Sequence, residues 1–93
     1  MATVTLRFFA AARAAASASE RVVTLDDPAT IAAALERVGS GHPPLERAGF
    51  DRAEFDSVIA RCSFLLNEVA TTDRAHALRD GDVLDILPPF AGG

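Results

Sequence analysis

The segment best suited to chemistry is the last one, Leu87-Pro88-Pro89-Phe90-Ala91-Gly92-Gly93. Pro88 and Pro89 fix φ and lack backbone donors, so they end the pairing of a preceding strand and send the chain outward in extended form. Gly92 and Gly93 then finish it without side chains. A tail with a stiff base and a thin tip suits the carriage of a terminal α-carboxylate, on Gly93, into a narrow active site of another protein where any Cβ would clash. A Gly-Gly end by itself is also how an ordinary small-residue terminus looks. The tail gains meaning only together with the rest of the chain.

Other residues with chemical potential are weaker. Cys62 stands alone, so it makes no internal disulfide, and it adjoins the apolar run Phe64-Leu65-Leu66, the setting of a buried and inert thiol. His42 and His76 lie far apart with no ligand spacing around either, which argues against zinc and places both at the surface. Asp80-Gly81-Asp82 precedes an apolar run and reads as a turn before it reads as a metal-binding carboxylate pair. All nine basic residues are arginine, so no lysine side chain is available to be acylated by a second copy or by another protein.

The elements that must hold these groups are legible from periodicity. Thr3–Phe9 alternates, with Val4, Leu6 and Phe8 on one face, as in a half-buried strand. Glu20–Asp26 is a second β-rich run, and the alanine-rich stretch from Ala10 to Ser19 reads as the long loop of a hairpin, whose alanines could support a helical turn. Asp27-Pro28 and Thr30 are two candidate starts of a helix in which Ile31, Ala34, Leu35 and Val38 form one apolar stripe, with Gly39 at its expected C-cap. Residues 39–44 break the pattern, and 45–59 suggests short helical pieces. Arg61–Leu66, Val69–Thr72 and Val83–Leu87 read as strands, with a turn at Asn67-Glu68. Leu84 and Ile86 should face the helix, leaving Val83 and Leu87, with Phe9, on the opposite face, where exposed apolar groups mark a partner surface. The order is that of an α+β, β-grasp (ubiquitin-like) fold: a mixed sheet packed on one main helix.

Length and composition agree with a single domain over 1–93 with a flexible tail at 88–93. The chain has 93 residues, 49% hydrophobic and 24% charged, which suits one modest core. A net charge of −4 excludes the basic surface that nucleic-acid binding needs. The run Phe8–Ala16, interrupted by Arg13, fits neither a signal peptide nor a membrane span, and the expected location is cytoplasmic.

Arg7-Phe8-Phe9-Ala10, the helix after Thr30, the Asn67 turn, Leu78-Arg79-Asp80-Gly81-Asp82 and the Leu87–Gly93 ending together resemble the ThiS/MoaD-type ubiquitin-like sulfur carriers. Within that group the Pro-Pro before the tail looks most like the small subunits of molybdopterin synthase. The connection at 45–59 matches nothing in the family pattern. The resemblance implies that an ATP-using adenylyltransferase/sulfurtransferase (MoeB-like) converts the Gly93 carboxylate into an acyl adenylate. A sulfur donor then displaces AMP to leave a thiocarboxylate. It further implies that the tail enters the synthase large subunit (MoaE-like), where sulfur is transferred to cyclic pyranopterin monophosphate. The chain would be the sulfur-donating, non-catalytic subunit, with acids and bases in the partner, no stably bound cofactor, and ATP used only by the activating enzyme. Phe9, Val83, Leu87 and Phe90 are the expected partner contacts, and Gly92, Pro88 and Pro89 the tail residues that shape access. The alternatives are a ubiquitin-like modifier joined to other proteins through Gly93, a carrier for thiamine thiazole or cysteine synthesis, and an interaction module whose tail is idle.

Overall fold

A computed structural model of the chain describes residues 1–16, 18–40 and 52–89. The elements are β1 (Ala2–Phe8), α1 (Ala10–Ala16), β2 (Glu20–Leu25), α2 (Ile31–Gly39), α3 (Arg52–Ile59), β3 (Ser63–Leu66), β4 (Val69–Thr71) and β5 (Val83–Leu87). The five strands form one sheet in the order β2-β1-β5-β3-β4. The central pair β1–β5 is parallel and the other pairings are antiparallel, so the sheet is mixed, as the order of elements predicts.

Alternation decides which side is covered. Val4, Leu6 and Phe8 on β1, Phe64 on β3, and Leu84 and Ile86 on β5 are all essentially fully buried beneath the helices. The α2 stripe of Ile31, Ala34, Leu35 and Val38 meets them from above. Of the two candidate helix starts the chain uses Thr30: its Oγ1 accepts from the Ala33 N–H at 3.1 Å, satisfying one of the orphan donors of the first turn.

Two expectations about local structure are corrected. Ala10–Ser19 is not simply a loop, because Ala10–Ala16 forms α1. Alanine is the best helix former, and burying only the methyl groups of Ala12, Ala15 and Ala16 lets the helix lie close against α3 and β1. Gly39 is not the C-cap but the last residue of α2; the cap is Ser40, whose N–H donates to the Glu36 carbonyl at 2.9 Å. A Cβ at position 39 would stand 3.1 Å from Arg52 Cζ and 3.2 Å from Phe55 Cε2, so glycine serves close approach of α2 to α3 rather than a left-handed turn. In the 45–59 connection, where short helical pieces were expected, residues 52–59 form a helix, and 45–51 lie outside the described residues. The helix buries Phe55 and Ile59, and Phe55 meets Phe8 edge to face at 6.3 Å between ring centroids.

Candidate functional site: the open sheet face and the tail

The face of the sheet away from the helices can be read from the strand registers. Glu20, Arg7, Asp85, Leu65 and Ala70 form one row across all five strands. Val22, Thr5 and Val83 form the next. Leu87, opposite Ser63, ends β5, and the Phe9 N–H beside it donates to the Ile86 carbonyl at 3.3 Å. Phe9 is 41% exposed and Val22 61%, while Val83 and Leu87 are partly exposed. Phe9 also marks a change of direction: Ala10 takes a positive φ of 51°, and the Phe9 carbonyl accepts from the Ala12 and Arg13 amides at the start of α1.

Three of the sequence-predicted contacts, Phe9, Val83 and Leu87, thus lie toward this side. The chain leaves the central strand β5 directly into Pro88, half-buried, and Pro89, exposed, neither in a strand. Phe90, Gly92 and Gly93 lie outside the described residues, as does His42.

Sequence reasoning missed the polar centre of the face. Arg7 donates from Nε to Asp85 Oδ1 at 2.6 Å and from Nη2 to Oδ2 at 2.9 Å, a bidentate pair. The Asp85 side chain is only 9% exposed and that of Arg7 45%. The hydrogen bonds to Asp85, and then its charge, hold the Arg7 guanidinium above its ordinary pKa. A signal was present: opposite charges sat at outward positions of two strands. What was lacking was the knowledge that those strands are parallel neighbours in that register.

The opposite end of β5 is fixed by the Asp80-Gly81-Asp82 turn. Asp80 Oδ1 accepts from the Thr3 N–H at 2.8 Å, and Asp82 accepts from the Arg79 N–H at 2.7 Å and from Asn67 Nδ2 at 2.9 Å. Asn67 returns the contact by accepting from the Val83 N–H at 2.9 Å. These carboxylates are turn acceptors that align β1, β5 and the Asn67-Glu68 turn. Gly81 has φ +90°, a conformation that needs glycine there. Among the described residues no group of three or more His, Cys, Asp and Glu side chains could hold a metal ion.

Cys62 is buried, and its Sγ donates to the Val58 carbonyl at 3.3 Å. Burial pushes its thiol pKa up, against a smaller opposing effect of Arg74, so it stays protonated at neutral pH. His76 is exposed, with Nδ1 2.9 Å from the Ala77 carbonyl. Among the described residues no helix is long and apolar enough to cross a membrane.

The described residues present an open, partly apolar sheet face with a polar pair at its middle, and the chain passes from its central strand into Pro88 and Pro89. Known proteins are similar to the chain over nearly its whole length. Residues 6–93 match the model of the ThiS family. The molybdopterin synthase sulfur carrier subunit of Chlamydomonas reinhardtii is 34% identical over 87 residues, 92% of this chain and 93% of that protein. Among solved structures, small archaeal modifier protein 1 of Haloferax volcanii superposes with a TM-score of 0.69 at 27% identity, covering 97% of this chain and 100% of that one. Subunits 1 and 2 of the molybdopterin-converting factor of Helicobacter pylori have been solved as a complex. That structure gives a TM-score of 0.55 at 22% identity, over 98% of this chain and 99% of the matched one. With its fold, its Pro-Pro-bounded tail and these matches in agreement, the chain belongs to the ThiS family.

Proposed function

We propose that this protein is the sulfur-carrier subunit of a molybdopterin synthase and works through the carboxylate of Gly93. The observation that carries the reading is the junction of β5 with Pro88-Pro89 at the end of the central strand of an open, partly apolar sheet face. The face docks a partner while the tail extends into that partner's active site. The similarity to the Chlamydomonas reinhardtii subunit supports the assignment within the family, and the complex solved for Helicobacter pylori supports a large subunit as partner.

The chemistry follows from the electrophile. A carboxylate is unreactive toward nucleophiles while charged; an activating enzyme joins it to AMP with release of pyrophosphate from ATP, and the mixed anhydride then has a good leaving group. A sulfur donor displaces AMP, and the resulting thiocarboxylate is a soft, largely ionised nucleophile at neutral pH by the logic that makes thiolates reactive. The large subunit supplies the acids and bases for transfer to cyclic pyranopterin monophosphate. Without lysine, a neighbouring copy has no side-chain amine with which to intercept the adenylate; guanidinium groups stay protonated and are not nucleophiles.

The likeness to an archaeal modifier protein favours a second reading, conjugation to other proteins through Gly93. Intact-mass analysis of the protein from its native host separates the two. A carrier shows exchange of one terminal oxygen for sulfur, and a modifier shows isopeptide adducts on target lysines. Neither species, with normal function after removal of Gly92-Gly93, would leave only an interaction module.

A further inference from the structure

A guanidinium has five N–H groups, and Arg7 gives two of them to Asp85. Among the described residues its side chain makes no other hydrogen bond. Because the group is planar and its Nε edge is clamped on a carboxylate sunk into the sheet, the other three N–H groups are left without a protein partner among the described residues, on a side chain that is 45% exposed. Water serves them in the free chain. A partner that covers the face removes that water, and an apolar surface laid over Arg7 leaves the donors of a charged group unmet.

The surroundings restrict what the partner brings. Glu20 lies directly across from Arg7 on β2, and Glu68 lines a depression of about 310 Å³ with Arg7, Asn67, Val83 and Asp85. Both carboxylates act on Arg7 through charge. With Asp85 these three carboxylates outnumber the two cations, Arg7 and the Arg13 that lines the neighbouring depression with Glu20, so a further carboxylate from the partner would be repelled. An uncharged oxygen meets the donors without that penalty, and the depression has room for the group that carries it.

We propose that the Arg7–Asp85 pair selects the large subunit by requiring from it an uncharged acceptor oxygen, a backbone carbonyl or a side-chain carboxamide, opposite Arg7. This rests on the reading of the open face as the docking surface for that subunit. Arg7 is the binding residue; Asp85 is a positioning residue that aims it. The device works by exclusion, because a wrong partner that presents apolar atoms or a carboxylate loses affinity even where its shape fits.

The test is calorimetric titration of the cognate large subunit with the full chain. Arg7→Leu/Asp85→Leu should fold with an unchanged or raised melting temperature, since apolar replacement of both members of such a pair is often neutral or better. It should bind about tenfold more weakly, or worse, because the partner's acceptor is left buried and unpaired. Asp85→Ala, which leaves Arg7 charged but unheld, should weaken binding by a smaller factor; a merely structural Asp85 would shift the melting temperature and leave affinity alone. In a crystal structure of the complex, a carbonyl or carboxamide oxygen should lie within hydrogen-bonding distance of Arg7 Nη1. A double variant that binds within twofold of the parent, or apolar atoms or a carboxylate opposite Arg7, would overturn this inference while leaving the docking face intact. Failure of the parent to bind would overturn the docking reading and this inference with it.

Discussion

Phe55→Ala tests whether α3 is a working part of the core. Phe55 is 1% exposed, packs edge to face on Phe8, and stands against Gly39 of α2, so its ring joins two helices to the sheet. Neither Phe8, 2% exposed at the end of a paired strand, nor α2, whose stripe is buried, can move far into the space left behind. At least the middle of the usual Phe→Ala range therefore applies, about 4 kcal/mol. A domain of 93 residues has a total stability of about 5 to 14 kcal/mol, so the loss is a large part of the whole. With an unfolding entropy of about 2.1 cal/mol/K per residue, near 0.2 kcal/mol/K for the chain, the melting temperature should fall by about 20 °C. Urea titration followed by far-UV circular dichroism is the assay. The midpoint should move while the slope stays constant, because the surface exposed on unfolding is nearly the same. A loss below about 2 kcal/mol, at the bottom of the range for large core truncations, would show that the ring is not enclosed as described.

Two further predictions concern the tail and the sheet face, and two concern the fold. Adding one residue after Gly93, or replacing Gly92 by Ala, should suppress pyrophosphate exchange by the cognate activating enzyme while shifting stability by no more than about 0.5 kcal/mol; an extended, uncleaved chain that still drives exchange would show Gly93 to be an ordinary end. Phe9→Ala should weaken binding of the large subunit by about thirtyfold, roughly 2 kcal/mol, as truncation of a central aromatic anchor does, and unchanged calorimetric affinity would place the interface elsewhere. Thr30→Ala should cost about 1 kcal/mol through the lost cap on α2, read as a lowered urea midpoint, and no change would mean that the Oγ1 contact is idle. Cys62 should resist iodoacetamide at pH 8 until urea unfolds the chain, because burial keeps its thiol neutral; rapid labelling of native protein would contradict that.

What was legible in the sequence was whatever repeats with a fixed period over a long enough run. Val4, Leu6 and Phe8, and Ile31, Leu35 and Val38, reveal their elements because alternation and the helical stripe each leave only one arrangement with a buried side. The seven-residue α1 escaped because a run of alanines has no amphipathic contrast; its signal is propensity, which a loop of small residues shares. Gly39 was misassigned because a glycine at a helix end has two physical uses, a left-handed cap and a close approach, and only the position of Arg52 and Phe55 separates them. The tail was singled out from residue type, and Phe9, Val83 and Leu87 from strand alternation. The Arg7–Asp85 pair was not, since it exists only when β1 and β5 lie side by side in parallel register, a relation across 78 positions of chain that local pattern does not encode.

The placement of β5 also determines how the domain bears load. The tail is spun from the strand at the middle of the sheet, hydrogen-bonded to β1 on one side and β3 on the other. A pull on the tail acts along that strand and stresses both ladders in shear, many bonds sharing the force, whereas an edge strand would peel away one bond at a time. The turn at residues 80–82, tied to β1 by the Thr3–Asp80 and Thr3–Gly81 hydrogen bonds, anchors the far end of the same strand. A partner that drew in the tip, as the proposed function requires, would pull the whole body after it without unravelling the tether. On the proposed carrier role, traction on the last residues would become seating of the sheet face, and insertion and docking would be two ends of one mechanical linkage.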